Sequence, residues 1–377
     1  GRTAPPYGEF SVIGKRNRKV EGLAKVTGRA VYADDIRLPR MLHARLLRSV
    51  HAHARIRSID VSAALALPGV HAVITGKDLP EYYGIIPWTQ DEQALCEEKA
   101  RYAGDAIAAL AADSELIADE ALRLIRVDYE VLPAVMTIEE ALAHPEIKVN
   151  ERAAEGNISK HVHLEFGEVD AGLAASDVVV EGDYWYEGST HAPIEPHCCV
   201  ADFDATGLLT VWSSTQVAHY LHRDLARVLG LPTQRIRVIQ PVVGGAFGGK
   251  SEPFSLEFCA AKLSMVSGRP VKLLYTREEV FYAHRGRHPM RMRYRTGVTR
   301  EGKLTAVDAT IGIDGGAYSS FGLVTTYYSG QLLTAPYRLP AYRFDSTRVF
   351  TNKPCCGPKR GHGSVQPRFA FECQLDK

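Results

Sequence analysis

The stretch PVVGGAFGGK, Pro241 to Lys250, decides how the rest of the chain is read. An alternating apolar run from Arg235 to Gln240 leads into it as a strand would, and a helical pattern from about Pro253 to Val266 leads out. Between them, four glycines and an alanine surround Phe247. Glycine lacks a Cβ, so the backbone can take positive φ and bring its amide N–H groups close to an anion or a cofactor. The following helix is expected to add the positive end of its dipole. The stretch reads as a binding loop on an α/β scaffold, with one large side chain kept in its middle.

More than one ligand fits such a loop. Gly244-x-x-x-x-Gly249-Lys250-Ser251 satisfies the phosphate-binding P-loop pattern, strand before and helix after included. No second strand ending in a magnesium-binding aspartate accompanies it, and Phe247 stands where a phosphate would pass bare backbone. A tight structural β-to-α turn is the plain alternative. A cofactor loop of another kind is the third reading, and it draws on more of the chain.

Composition narrows the class. With 377 residues, 45% of them hydrophobic and 24% charged, the chain is long enough for two domains with their own cores. A net charge of +1 argues against nucleic acid or a membrane surface recruited by bulk charge. Neither a membrane-length apolar span nor a signal-peptide core is evident, so a cytoplasmic location is expected. The seven cysteines, two adjacent pairs among them, include no C-x-x-C spacing and read as free buried thiols.

In chain order, residues 1–19 read as a Pro/Gly-rich arm and 20–142 as a compact α/β unit. That unit has strands predicted at Met41–Leu47, Val70–Thr75 and Ile125–Val131, and a helix starting near Ser114. Periodicity fades and charge rises across 143–160, which is read as a linker to a second unit at 161–377. The second unit opens with two strands, Asp177–Glu181 and Asp183–Glu187. A strand at Leu208–Ser214 then delivers Thr215-Gln216 to a helix striped by Val217, Leu221, Leu225 and Val228, with Arg223, Asp224 and Arg227 facing away. Gln216 therefore lies at a strand-to-helix junction, where α/β folds place ligand contacts, and its carboxamide suits a metal-oxo or carbonyl oxygen. The next helix is striped by Leu256, Cys259, Leu263 and Val266.

Other polar groups weigh less. His284 and His288 have metal-pair spacing, but Gly286 and Pro289 oppose a helix, so a solvated or backbone-pairing loop is expected. His51 and His53 are expected on one face of a strand, at an interface or satisfied. Glu195, between Ile194 and Pro196, could be a general acid or base, but standing alone it reads first as a structural carboxylate. Near the end, Arg360-Gly361-His362-Gly363 has the composition of a loop whose backbone approaches a ligand while one ring projects. A helix follows from Val365 without a cap at its end, and the domain is expected to continue beyond the sequence.

Taken together, STQ at 214–216, GGAFGGK at 244–250 and RGHG at 360–363 resemble the molybdopterin-binding large subunit of the xanthine dehydrogenase/aldehyde oxidase family, the molybdenum hydroxylases. KVTGRAVYADD at 25–35, SVHAHAR at 49–55, RYAGD at 101–105 and YTREE at 275–279 extend the resemblance over residues 15 to 377. The resemblance implies a mixed α/β chain: a small hammerhead domain at 20–142, then the first molybdopterin-binding domain, incomplete at its carboxyl end. It implies that Gln216 hydrogen-bonds the apical oxo ligand of molybdenum, and that Gly245, Ala246, Phe247 and Gly248 lie against the pterin. It further implies that Arg360 meets the cofactor through its backbone, and that no side chain ligates the metal.

The same resemblance places His362 and Tyr328 in the substrate pocket. His362 stands where xanthine oxidases keep a phenylalanine. RGHG and YYSG at 327–330 look most like the α subunit of 4-hydroxybenzoyl-CoA reductase. The implied reaction is hydroxylation of an aromatic or heteroaromatic substrate, or reductive dehydroxylation such as 4-hydroxybenzoyl-CoA to benzoyl-CoA. An aldehyde or N-heterocycle dehydrogenase is the alternative within the family; a nucleotide-binding module or a non-catalytic half-subunit lies outside it. The implied cofactor is molybdopterin in its cytosine dinucleotide form. Implied partners are the remaining half of the molybdopterin subunit, an iron–sulfur subunit and an FAD subunit, with no nucleic acid and no membrane. The general base is expected outside this chain, at neither Glu195 nor Glu252.

Overall fold

A computed structural model describes residues 10–377; the first nine positions of the amino-terminal arm lie outside the described residues. Two sheets organise the chain. The larger has seven strands in the order Ile236–Ile239, Leu209–Ser213, Cys198–Phe203, Val271–Leu274, Leu42–Arg48, Ala106–Ala112, Val70–Thr75. The second has five, in the order Val178–Tyr186, Met290–Val298, Leu304–Asp314, Tyr342–Val349, Ile158–Phe166.

Strand Ala106–Ala112, AIAALAA, explains how the large sheet is covered. All seven residues are buried, as expected of a strand with both faces packed. Ala109 and Ala111 join the core formed with helix Ser255–Ser267, while Ala108, Leu110 and Ala112 join the one formed with helix Glu115–Leu122. The two-residue alternation of a strand thus assigns one helix to each face. Small side chains let both helices approach closely. Helix Glu115–Leu122 is capped by Ser114, whose side chain accepts the Ile117 N–H, as a serine before a helix should.

Several expectations change in the folded chain. The two strands read at Asp177–Glu181 and Asp183–Glu187 are one, Val178–Tyr186, with Gly182 paired to Tyr294 in the middle of the ladder. Gly182 admits the terminal helix, since a Cβ there would stand 2.5 Å from Gln374 Oε1. Asp224 is fully buried against Arg223 instead of facing solvent, while Val266 is 55% exposed. His51 and His53 lie in a bend between strands; His53 is buried with Nδ1 2.6 Å from the Pro133 carbonyl.

Residues 143–160 are firmly tied. Asn150 is 2% exposed and donates to Asp91 and to the Ala317 carbonyl, and Asn157 holds the carbonyls of Ala141, His144 and Ile147. The large sheet also crosses this segment: Leu42–Arg48, from before it, pairs in parallel with Val271–Leu274, from after it. No helix among the described residues is long and apolar enough to cross a membrane.

Candidate functional site

Two neighbouring parallel strands set the site. Leu209 pairs with Ile236 and Trp212 with Ile239, so both strands deliver their carboxyl ends to the same sheet edge. Gln216 follows the first strand and the glycine loop follows the second, which brings together residues far apart in sequence. The two are hydrogen-bonded directly. The Gln216 N–H donates to the Lys250 carbonyl at 2.7 Å, and the Lys250 N–H donates to Gln216 Oε1 at 3.3 Å. The Gln216 side-chain nitrogen, Nε2, has no partner among the described residues and the residue is exposed.

The loop has the shape of a cradle. Gly245, Phe247 and Gly248 all take positive φ, at 103°, 57° and 98°. For Phe247, a side chain in that region costs on the order of 1–2 kcal/mol. The amides of Gly245, Ala246, Phe247 and Gly248 donate to no group among the described residues, whereas Gly244 and Gly249 on either side are bonded. Four consecutive free donors beside a half-exposed ring suit a polar or anionic group. The expected helix dipole plays little part: the helix begins at Ser255, and Glu257 already accepts the Phe254 N–H at 2.9 Å.

The P-loop reading fails here. Lys250 is 1% exposed and its Nζ lies 2.7 Å from Glu195, so it is not presented to a phosphate. Burial pulls the lysine's pKa down while the Glu195 carboxylate opposes that shift. Removing one partner of such a buried pair costs about 3–5 kcal/mol.

Arg360 closes the other side. Its N–H donates to the Phe247 carbonyl at 3.0 Å, so Gln216, Phe247 and Arg360 belong to one hydrogen-bonded unit. Arg287 holds the next turn, donating to the carbonyls of Arg360 at 2.5 Å and Gly361 at 3.3 Å. His284–His288 is thus a backbone-pairing loop, as expected, and it supplies a site residue, Arg287, that no sequence motif singles out.

His362 and Tyr328 also meet. Their rings are perpendicular at 5.8 Å, and Phe321 lies 5.6 Å from the imidazole. Thr325 Oγ1 is 2.8 Å from His362 Nε2, fixing the ring. Burial pushes this histidine down to about 4, so it is neutral near pH 7. Among the described residues no group of three or more His, Cys, Asp or Glu side chains could hold a metal ion. Glu252 is buried on Ser320 and lies 3.8 Å from Arg285, and Glu195 is taken by Lys250 and Gly244. A cavity of about 760 Å³ lined by His53, Lys99 and Arg101 shares no residue with this site.

Two further residues support the site without a motif of their own. His191 Nε2 donates to the Pro358 carbonyl at 2.7 Å, and His197 Nε2 lies 3.0 Å from the Gly249 carbonyl. Both imidazoles are pushed down by burial, to about 4 and about 3. Their only signal in the sequence is the compact run HAPIEPH, with two prolines that fix its backbone.

Comparison with known proteins agrees with this geometry. Residues 149–377 match the molybdopterin cofactor-binding domain, and residues 27–133 match the aldehyde oxidase and xanthine dehydrogenase a/b hammerhead domain. The chain is 39% identical to the nicotinate dehydrogenase large molybdopterin subunit of Eubacterium barkeri, over 98% of this chain and 86% of that one. It is 38% identical to a probable xanthine dehydrogenase subunit of Bacillus subtilis, over 97% of this chain and 49% of the relative. The aldehyde oxidoreductase from Desulfovibrio gigas superposes with a TM-score of 0.89 at 33% identity, covering 95% of this chain and 40% of the other. The chain therefore spans less than half the length of these last two. With both domain types in order and a two-strand edge carrying Gln216 and the glycine loop, the chain belongs to the molybdenum hydroxylase family of xanthine dehydrogenases and aldehyde oxidoreductases, within its molybdopterin-binding large subunit.

Proposed function

We propose that this chain forms the amino-terminal part of a molybdenum hydroxylase site that oxidises an aromatic or heteroaromatic ring. One observation carries the reading: four unbonded amides, from Gly245 to Gly248, lie between the Gln216 carboxamide and the Arg360 turn. When bound, the molybdenum cofactor supplies two-electron redox chemistry and oxygen transfer. The residues of this chain do the rest by position. The loop amides would hold the cofactor's polar edge, the free side-chain N–H of Gln216 would donate to an oxygen of the bound group, and the half-exposed Phe247 ring would shield one face from water.

His362 belongs to the substrate side in this reading. A neutral imidazole fixed by Thr325, with His288 stacked 6.2 Å away and Phe321 and Tyr328 beside it, makes an aromatic cluster suited to a planar ring. Relatives named for nicotinate and xanthine support an N-heteroaromatic substrate. A second reading, reductive removal of the hydroxyl from 4-hydroxybenzoyl-CoA, is favoured by one observation: the Tyr328 ring stands edge-on to His362, where a phenol could share hydrogen bonds. Since Glu195 and Glu252 are both engaged, the proton-transferring group is assigned to the remaining half of the subunit. An iron–sulfur subunit and an FAD subunit would carry the electrons, and the cofactor would be the cytosine dinucleotide form.

The test is elemental analysis of the complex purified with its native partners, followed by turnover of nicotinate, purines, aldehydes and 4-hydroxybenzoyl-CoA. About one molybdenum per chain and turnover of a ring substrate are expected. A complex without molybdenum, holding only its partner chains, would point to a non-catalytic half-subunit and sink the proposal.

A further inference from the structure

The segment His191-Ala-Pro-Ile-Glu195 is bonded to both ends of the glycine loop and to Pro358, just before the Arg360 turn. At one end, His191 Nε2 donates to the Pro358 carbonyl, and a Cβ on Gly248 would stand 2.6 Å from that same oxygen. At the other end, Glu195 Oε2 accepts two bonds: from the Gly244 N–H at 2.8 Å and from Lys250 Nζ at 2.7 Å. Gly244 and Lys250 are the two ends of the glycine loop, so one carboxylate oxygen closes it. The Glu195 N–H adds a third tie, to the Gly244 carbonyl at 3.1 Å. Lys250 in turn holds Gln216 through its own backbone N–H and carbonyl.

The segment itself is stiff. Pro193 and Pro196 fix two φ angles, Ala192 is held at a positive φ of 41°, and Arg277 donates to the Ile194 carbonyl at 2.8 Å. Glu195 and Lys250 side chains are 9% and 1% exposed, so water competes little for their bond. Glu195 Oε1 is buried with no partner, so the carboxylate's whole hydrogen-bonding role rests on the oxygen that closes the loop.

We propose that Glu195 is a positioning residue for the molybdenum cofactor: through Gly244 and Lys250 it fixes the loop amides and the Gln216 carboxamide at one spacing, with His191 setting the Arg360 turn against them. This rests on the function proposed above and assigns that site its internal brace. Glu195 touches neither cofactor nor substrate. Its effect is on how tightly the cofactor is held and how its ligand shell is shaped.

The experiment uses the full native complex. Glu195→Gln keeps an acceptor for the Gly244 N–H but leaves the Lys250 charge unpaired. The double variant Glu195→Gln with Lys250→Met removes that charge as well, so it folds even where the single variant does not. Molybdenum release during dialysis is timed for each, and the Mo(V) electron paramagnetic resonance signal is recorded at equal molybdenum content. Release about tenfold faster than wild type in whichever variants fold, with an altered resonance signal, is expected from the loss of one buried ion-paired tie. A purely structural role would lower melting temperature and leave the resonance signal of the retained metal unchanged. A folded double variant with wild-type release and wild-type signal overturns the proposal. Absence of molybdenum from the wild-type complex is a different result and counts against the functional reading instead.

Discussion

The glycine loop and the Arg360 turn face one another across a backbone hydrogen bond, yet they are anchored in different ways. In the glycine loop the amides are left free while charged side chains anchor its ends: four N–H groups are unbonded, and Lys250 and Glu195 are buried beneath. In the Arg360 turn the anchors fall on the backbone itself: the Arg360 N–H meets Phe247 and Arg287 takes the carbonyls of Arg360 and Gly361, while the N–H groups of Gly361, His362 and Gly363 have no partner among the described residues and Thr325 fixes the His362 ring. The difference separates two tasks. Free backbone donors hold a group whatever its substituents, whereas a fixed ring discriminates among planar molecules.

Three changes break or sharpen that contrast. The largest effect is expected from Gly248→Ala, which puts a Cβ at a φ of 98° and 2.6 Å from the Pro358 oxygen. Backbone opposes backbone there, so the loop must shift at a cost of about 3 kcal/mol, roughly a hundredfold in cofactor retention. Molybdenum content of the purified complex reads it, and wild-type content would mean the loop's shape is not what holds the group.

Next comes acid. His191 is held at about 4 by burial against an ordinary value of 6.5. Between those values the unfolded chain binds more protons than the folded one, so the stability His191 contributes is complete above pH 6.5 and is lost as pH falls toward 4. The difference in unfolding free energy between wild type and His191→Gln should therefore shrink on acidification by up to about 1.4 kcal/mol per pH unit. Denaturant titrations at several pH values test this; a constant difference would place His191 outside the brace. The smallest effect is expected from His362→Phe, which should alter the ratio of kcat/KM between N-heterocycles and phenolic thioesters by roughly tenfold or less, the scale of one aromatic contact. Molybdenum content should stay unchanged, and its loss would erase the distinction between the two loops.

Much of this arrangement is legible in the chain because the motifs are local. Glycines around Phe247, the glutamine after a strand and the RGHG turn each report a backbone requirement within a few residues. Strand Val70–Thr75 is legible to its ends, since valines, isoleucine and a closing turn all agree. Long-range pairing leaves no such trace. Lys250 fits the phosphate-loop pattern as one of three readings, and nothing local shows that its partner is Glu195, 55 positions earlier. Arg287 reads as one residue of a solvated or backbone-pairing loop, and nothing local shows that its partners are the carbonyls of Arg360 and Gly361. Periodicity assigns Asp224 to the solvent face of its helix, because nothing local reveals that this face is covered. Gly182 reads as a break between strands, when it is a notch for a helix nearly two hundred residues further on.

The parallel pairing of Leu42–Arg48 with Val271–Leu274 has a consequence for synthesis. One edge of the earlier strand has no neighbour until about 220 more residues have left the ribosome, a delay of roughly 10–45 seconds at ordinary translation rates. Throughout that interval the nascent chain carries an open β edge, a template for pairing with the wrong polypeptide. Recombinant production should therefore reward low expression levels and abundant chaperones, and a shortened chain ending before residue 271 should accumulate in aggregates.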